Sequence, residues 1–218
     1  MKVGIDGVLL GVWTSVENAA NILDIGTGTG LIALMLAQRA NSIIDAIEID
    51  PEAVKQAVEN VRSSPWPDLI QVKQISLQDF AKTANKQYDL IVSNPPYFIN
   101  SLKNQTTNRA SARHTDSLTH EELIGNSLLL LKNTGRICVI LPVNEGLKCI
   151  DFAEKNGLHC SKKVTVFSKP NTVAKRLLVE FCLIPVQKVT SELIIEAEER
   201  HHYSPEFTKL AKDFYLKL

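Results

Sequence analysis

Residues 21–30, which read NILDIGTGTG, join a short apolar segment to a turn built from glycines. Asn21 to Ile25 is typical of a buried strand, and an apolar helix is predicted from Thr29 to Ala40. Glycines let the backbone turn tightly and leave room for a ligand beside it. A helix N-terminus beneath such a turn favours polar ligand groups. The stretch therefore predicts an α/β fold with a ligand loop after its first strand.

The rest of the chain alternates between predicted strands and helices, which is typical of a doubly wound α/β sheet. The predicted strands span Asn21 to Ile25, Ile43 to Ile49, Ile70 to Lys73, Tyr88 to Ser93, Arg136 to Leu141, Leu158 to Phe167 and Arg176 to Ile184. Helices are predicted between them, including one that runs from a Thr119-x-x-Glu122 capping box through Leu131 and one that starts at Ser204-Pro205. The last two strands are close enough to pair as antiparallel neighbours. We expect a Rossmann-like sheet that is mostly parallel, with an antiparallel strand near the C-terminus.

The composition bounds the kind of protein. With 44% hydrophobic and 22% charged residues, the 218-residue chain can bury a full core, so we expect a single domain over residues 1–218. No apolar run approaches the roughly 20 residues that cross a bilayer, and no signal-peptide pattern opens the sequence. The four cysteines form no C-x-x-C pair and the five histidines no H-E-x-x-H motif. We expect a cytoplasmic monomer without a metal site.

The charges are segregated although the net charge is zero. Residues 101–114 and 162–176 carry basic side chains and no acidic ones, whereas residues 192–199 hold four glutamates. Such segments are either surfaces for a charged partner or ordinary solvated loops. The charge pattern alone leaves both interpretations open.

The spacing of the glycine loop limits the ligands that it fits. It reads G-x-G-x-G, and Leu31 stands where a dinucleotide fingerprint would place its third glycine, which disfavours a nicotinamide cofactor. Glu48 follows Gly30 by 18 residues, about where a ribose-binding carboxylate belongs in this fold. Asp50 is better explained as the N-cap of the next helix, because Pro51 follows it. We therefore assign the ribose hydroxyls to Glu48.

A second unusual stretch is SNPPYF, residues 93–98, where a core strand ends in an asparagine, two prolines and aromatic rings. Together with DIGTGTG at residues 24–30 and the acidic end of the second strand, it resembles the class I S-adenosylmethionine-dependent methyltransferases, in particular those that methylate an exocyclic or amide nitrogen. Residues 1–11, 31–39 and 64–66 and the tail ending at Leu216 are similar to the bacterial methyltransferases that act on N6 of adenine 37 in tRNA1(Val). This second likeness runs nearly from end to end.

The resemblance implies roles for individual residues. It places the cofactor S-adenosylmethionine on Asp24, Gly26, Gly28, Gly30, Glu48 and Asn94, and the catalytic tetrapeptide on Asn94, Pro95, Pro96 and Tyr97. The family usually has an acidic residue after the third strand that binds the cofactor adenine. The aligned position here is Ser76, with Asp79 one helical turn later, so both are candidates. The resemblance also implies a short segment ahead of Met1 that contributes to the cofactor site.

The N-P-P-Y sequence suits methylation of a planar amino group. The lone pair of such a nitrogen is delocalised, and acceptors that take its two N–H groups draw it towards tetrahedral geometry. The Asn94 side-chain oxygen and the Pro95 carbonyl can each accept one, while proline fixes φ and removes a competing donor. Tyr97 would stack on the base. We expect positioning to supply most of the acceleration, without a strong general base.

A tRNA substrate would meet the chain through unpaired bases and phosphates. A target base must be unpaired or flipped out, and this costs least in a loop. The basic residues that match the resembling group are Arg109 and Arg113, in the long loop after the tetrapeptide, and Lys175 and Arg176, beside the last predicted strand. These four are our candidates for tRNA contacts.

Other functions stay open at this point. Glutamine amides in proteins and adenines in rRNA or DNA also offer two N–H donors, so the tetrapeptide cannot separate these acceptors from a tRNA adenine. A nicotinamide-dependent oxidoreductase is disfavoured by Leu31. A non-catalytic nucleic-acid-binding module on the same fold would keep RNA affinity and transfer no methyl group.

Overall fold

The computed structural model describes residues 4–95, 118–197 and 202–215. Helices and strands alternate through most of these ranges. In chain order they are α1 (Ile5–Trp13), β1 (Asn21–Ile25), α2 (Leu31–Arg39), β2 (Ile43–Glu48), α3 (Pro51–Arg62), β3 (Ile70–Gln74), α4 (Leu77–Thr83), β4 (Tyr88–Ser93), α5 (His120–Leu130), β5 (Leu131–Pro142), α6 (Val143–Lys155), β6 (His159–Phe167), β7 (Arg176–Cys182), β8 (Val189–Ile194) and α7 (Pro205–Ala211).

The described strands form one sheet in the order β3-β2-β1-β4-β5-β7-β6-β8. Strands β1 to β5 are parallel, β7 is antiparallel to both of its neighbours, and β8 runs parallel to β6. Strand order reverses between β1 and β4, which is where open α/β sheets bind ligands. The predicted mostly parallel α/β sheet with an antiparallel strand near the C-terminus is confirmed.

Both faces of the sheet are covered by helices. On one face, Ile22 and Leu90 pack with residues of α1, α2 and α7. On the other face, Leu23 and Ile91 pack with residues of α4, α5 and α6. Because both clusters are built on the same strands, the arrangement agrees with the single domain predicted for residues 1–218, which stays a prediction.

Two elements were not predicted. Helix α1 was not predicted because Gly7 to Val12 are all buried. Its sequence therefore has no alternation of polar and apolar residues with a helical period. Strand β8 was not predicted because it is an edge strand. Four of its six residues are exposed, and three of the six are polar. Its acidic end belongs to the 192–199 segment, for which the charge pattern alone predicts no strand.

The predicted boundary between α5 and β5 was also wrong. Helix α5 was predicted to run through Leu131, but it ends at Leu130, and β5 begins at Leu131 rather than at Arg136. Leu131 pairs with Tyr88, and the register then shifts at a bulge before Leu90 pairs with Arg136. The capping box of α5 is confirmed, with Thr119 and Glu122 each accepting the other's backbone N–H.

The described residues contain neither a candidate membrane span nor a candidate metal site. Within these ranges no helix has the length and apolar composition needed to cross a membrane. Over the same residues, no group of three or more His, Cys, Asp or Glu side chains could hold a metal ion.

Candidate active site

The candidate site is a cleft at the carboxyl ends of β1, β2 and β4. Ile25, the last residue of β1, pairs with Ile47 on one side and Ser93 on the other, so the three strands end side by side. The cleft has a volume of about 510 Å³, within the range of small-molecule sites. Its described lining consists of Ile25, Gly26, Gly28, Ile47, Glu48, Ile49, Asp50, Ala53, Ile75, Ser76, Leu77, Gln78, Ser93, Asn94, Pro95, Leu118 and Glu122.

The glycine turn after β1 forms the floor of this cleft. Gly26 and Gly28 have φ values of 67° and 58°, which side-chain-bearing residues rarely adopt. The backbone N–H groups of Gly26 and Thr27 donate to the Ile47 carbonyl over 2.9 and 3.0 Å, which fixes the turn against β2. A Cβ atom at Gly26 or Gly28 would meet no atom within 4 Å, because both positions open onto the cleft. The turn therefore presents bare backbone to a ligand.

Asp24 shapes this turn from beneath and is absent from the cleft lining. Its Oδ2 accepts from Thr27 Oγ1 at 2.6 Å and from the Ala33 N–H at 3.2 Å. The second bond replaces the side-chain cap that Gly30 cannot supply to α2. Burial raises the pKa of the Asp24 carboxyl to about 7, although both hydrogen bonds lower it. Its Oδ1 is buried and has no hydrogen-bond partner.

The two acidic residues at the end of β2 have different roles. Glu48 lines the cleft, and its Oε2 accepts from the Gly28 N–H at 3.0 Å. Its Oε1 accepts from the N–H groups of Ile49 and Asp50 at 2.8 and 3.1 Å. Asp50 caps α3 through the N–H groups of Glu52 and Ala53, as predicted. A carboxylate has about four lone-pair sites, so Glu48 retains acceptor capacity for a ligand hydroxyl.

The segment after β3 distinguishes between Ser76 and Asp79, the two residues predicted to contact the cofactor adenine. Ser76 lines the cleft and caps α4 by accepting the Asp79 N–H at 3.1 Å. The Asp79 carboxylate accepts from Ser76 Oγ at 2.9 Å and pairs with Lys82, and both bonds lower the Asp79 pKa. Asp79 is not among the lining residues, whereas Gln78 is. The structure therefore brings Ser76 to the cleft, whereas the exposed Asp79 carboxylate lies outside the described lining and pairs with Ser76 and Lys82.

The end of β4 supplies the predicted acceptor groups. The Ser93 Oγ donates to the Ile25 carbonyl at 3.0 Å, which joins the ends of β4 and β1. Asn94 is partly buried and Pro95 is buried, and both line the cleft. Pro96 and Tyr97 lie outside the described residues. Asn94 and the glycine turn thus face the same cavity.

Sequence reasoning missed several residues that surround these groups. Ile49 is 46% exposed at the cleft, so it offers apolar surface to a ligand. Leu118 and Glu122 reach the cleft from the start of α5, and Gln78 reaches it from α4. Glu122 was recognised only as part of a capping box and Gln78 was passed over between Ser76 and Asp79, so the folding of α4 and α5 onto this edge of the sheet reveals their place at the cleft.

The four candidate tRNA contacts have different environments. Arg109 and Arg113 lie outside the described residues. Lys175 is exposed at the start of β7. Arg176 donates its Nε–H to Asp6 Oδ2 at 2.8 Å, so its guanidinium is engaged within the fold.

Comparison with known proteins gives a consistent family. Residues 8–156 match the model of the family described as "Methyltransferase small domain". A protein of Parabacteroides distasonis named tRNA1(Val) (adenine(37)-N6)-methyltransferase is 51% identical over 218 residues, covering 100% of this chain and 92% of that protein. A protein of Trichodesmium erythraeum with the same name is 48% identical over 222 residues, with the same two coverages.

Solved structures with a similar fold are also methyltransferases. A predicted O-methyltransferase of Agrobacterium tumefaciens superposes with a TM-score of 0.73 at 17% identity, covering 95% of both chains. A ribosomal protein L11 methylase of Lactobacillus delbrueckii subsp. bulgaricus gives a TM-score of 0.58 at 17% identity, covering 80% of this chain and 75% of that one. At these identities the likeness concerns the fold alone.

Proposed function

Since the chain belongs to the methyltransferase small domain family, we propose that it transfers a methyl group from S-adenosylmethionine to N6 of adenine 37 in tRNA1(Val). The observation that carries this proposal is the placement of Asn94 and Pro95 in the same cleft as the glycine turn. The relatives that match the whole chain bear the name of this activity. Enzyme class, acceptor nitrogen and substrate RNA thus agree with the chemistry that the cleft can perform.

The described lining fits S-adenosylmethionine. The bare backbone at Gly26 and Gly28 leaves room for the amino-acid portion, and the remaining acceptor capacity of Glu48 suits a ribose hydroxyl. We assign the adenine ring to the surface formed by Ile49, Ser76 and Gln78, with Asp79 supporting Ser76. Asp24 and Gly30 would act on the cofactor through the shape of the loop. When bound, S-adenosylmethionine supplies a methyl group already activated on a sulfonium.

The acceptor side is supplied by the end of β4. The Asn94 side-chain oxygen and the Pro95 carbonyl each accept one N–H of the adenine amino group, and this holds its nitrogen lone pair towards the methyl donor. These interactions strengthen as positive charge develops on the nitrogen, so they favour the transition state over the bound substrate. Orienting two reactants in this way can supply roughly 7 to 11 kcal/mol. Pro96 and Tyr97 complete the proposed catalytic tetrapeptide.

The RNA would reach the cleft as an unpaired loop. Adenine 37 lies in the anticodon loop, so presenting it to the acceptors costs little unpairing energy. The exposed ammonium of Lys175, with Arg109 and Arg113, would contact phosphates. We propose no metal and no membrane for this reaction, because neither the acceptors nor the activated methyl group require one.

The test is methyl transfer to defined tRNA transcripts. The protein is incubated with S-adenosylmethionine and tRNA1(Val), and the digested RNA is analysed by mass spectrometry for N6-methyladenosine. A transcript with guanosine at position 37 is the matched control. We expect N6-methyladenosine from the first transcript and none from the second. Equal product from both, or product only on protein glutamine or DNA, would refute the proposed acceptor.

A further inference from the structure

An ion pair joins helix α1 to strand β7. Arg176, the first residue of β7, donates its Nε–H to Asp6 Oδ2 in the first turn of α1 at 2.8 Å. The Asp6 and Arg176 side chains are 16% and 30% exposed, so the pair is partly shielded from water. Charge-assisted hydrogen bonds of this kind are stronger and more directional than exposed surface pairs. The pair therefore fixes α1 relative to the sheet.

The opposite end of α1 is held as well. Arg39, the last residue of α2, donates from Nη1 to the carbonyls of Gly11 and Thr14 at 2.6 and 2.7 Å. These carbonyls belong to the end of α1, where intrahelical partners run out. Two arginines from different elements thus hold the helix at both ends.

The first turn of α1 borders the proposed acceptor group. Gly7, next to Asp6, is buried, and a Cβ atom at this position would lie 3.9 Å from Asn94 Nδ2. The same Cβ would lie 3.2 Å from Leu31 Cδ2, so the helix backbone is packed closely here. The first turn of α1 therefore lies next to the Asn94 carboxamide. A shift of this helical turn would reorient the Asn94 acceptor.

From these contacts we propose that Asp6 and Arg176 are positioning residues for methyl transfer. Their ion pair holds the first turn of α1 against Asn94 and so sets the direction of its acceptor oxygen. The inference rests on the proposed function, and it gives Arg176 a role different from the tRNA contact that the resemblance implies. Lys175, exposed and adjacent, keeps the RNA role.

The two roles of Arg176 predict different kinetics. An RNA contact raises KM for tRNA and lowers the salt dependence of binding when it is removed. A positioning residue lowers kcat and leaves the salt dependence unchanged, because a displacement near 1 Å can cost about 100-fold in rate. The positioning role also predicts that removing Asp6 lowers kcat as much as removing Arg176 does. A direct phosphate contact by Asp6 cannot explain such a loss, because its carboxylate repels phosphate.

The experiment is a double-mutant cycle with Asp6→Asn, Arg176→Gln and the double variant. We measure kcat and KM for tRNA1(Val) and the salt dependence of tRNA binding. We expect each single variant to lose about 10- to 100-fold in kcat, the double variant to lose no more than either, and the salt slope to stay constant. A raised KM and a lower slope for Arg176→Gln, with normal kcat for Asp6→Asn, would overturn the proposal.

Two further measurements make the result decisive. Asp151→Asn and Lys155→Gln remove a comparable ion pair on α6, 2.7 Å long but 65% and 70% exposed, and should leave kcat unchanged. Amide hydrogen exchange of Val8 to Leu10 reports on α1 without any substrate, so it remains informative if the wild type fails to methylate tRNA. Faster exchange in Asp6→Asn and Arg176→Gln than in the α6 variants is expected, and unchanged exchange would overturn the proposal.

Discussion

The two sides of the cleft are built in different ways. On the cofactor side, at the ends of β1 to β3, the polar groups are held within one turn or by the adjoining strand, as when Asp24 binds Thr27 and Glu48 binds the Gly28 N–H. On the acceptor side, at the end of β4, the orientation of Asn94 depends on α1, which is anchored by a residue 170 positions away. Contacts between neighbouring segments of the chain thus form the cofactor side, whereas the acceptor side depends on a contact between distant segments. Variants of the two sides should therefore fail in different measurements.

The largest expected effect is on the acceptor side. Asn94→Ala removes an acceptor that acts mainly in the transition state, so kcat should fall by about 10²- to 10³-fold. Cofactor affinity should change much less, because Glu48 and the glycine turn remain in place. Steady-state methyl transfer to tRNA1(Val) and calorimetric cofactor binding check the two quantities. A near-normal kcat would show that Asn94 is not an acceptor in the transition state, and the proposed difference between the two sides would then be wrong.

The second prediction concerns the stability of the cofactor side. The pKa of the buried Asp24 carboxyl is about 7, against an ordinary 3.8 in an unfolded chain. Between these values the folded state keeps a proton that the unfolded state releases, so stability falls as pH rises, by up to about 1.4 kcal/mol per pH unit. Below this window both states are protonated, and above it the loss is complete.

Asp24→Asn tests this pH dependence. An asparagine oxygen can still accept from Thr27 and Ala33, and its NH2 group takes the place of the unpartnered Oδ1. The advantage of the variant in unfolding free energy should widen from pH 4 to pH 7 and then stay constant. Urea unfolding at several pH values measures it. If the unfolding free energies of the wild type and the variant changed equally with pH, the raised pKa of Asp24 would be contradicted.

The third prediction compares two neighbouring acids. Glu48→Gln should weaken cofactor binding by about tenfold, because a neutral acceptor replaces a charged one at the ribose site. Asp50→Asn is the matched control, since asparagine caps helices about as well as aspartate. Calorimetry with S-adenosylmethionine measures both affinities. Equal weakening in the two variants would remove the distinction between the ribose carboxylate and the cap.

The last prediction concerns folding stability at the glycine turn. Gly28→Ala forces a side chain into φ 58°, which should cost about 1 to 2 kcal/mol of stability. Gly125→Ala changes an exposed position of α5 with free space around its Cβ, and it should stabilise the chain by about 0.5 to 1 kcal/mol. Denaturant unfolding of both variants measures the sign. Stabilisation by Gly28→Ala would show that the turn needs no left-handed residue.

Much of the cofactor side could be predicted from the sequence. The glycines at 26 and 28, the Asp50 cap and the strand that ends at Ile25 all follow from local rules, and the structure places them as predicted. Helix α1 could not be predicted in this way, because a helix buried on all sides has no polar face to reveal its period. Residues 1–11 are part of the resemblance, and in the structure Ile5–Trp13 form α1, whose Gly7 lies next to Asn94.

The basic segment 162–176 shows the limit of charge patterns. The sequence shows five bases without an acid, which suggested either an RNA surface or solvated loops. In the structure Lys162 pairs with Glu180, Lys169 with Glu196 and Arg176 with Asp6. Their partners lie in other segments of the chain, so a local count of charges cannot find them. Lys175 is the residue of this segment for which we retain a tRNA contact.

The central claim is that the acceptors at the end of β4 face the methyl group of a cofactor held at the ends of β1 and β2. A crystal structure with S-adenosylhomocysteine tests it most directly. We predict a ribose hydroxyl about 2.7 Å from Glu48, the amino-acid portion against Gly26 and Gly28, and the sulfur directed towards the Asn94 oxygen. A cofactor bound elsewhere, or an Asn94 oxygen turned to bulk solvent, would contradict the account.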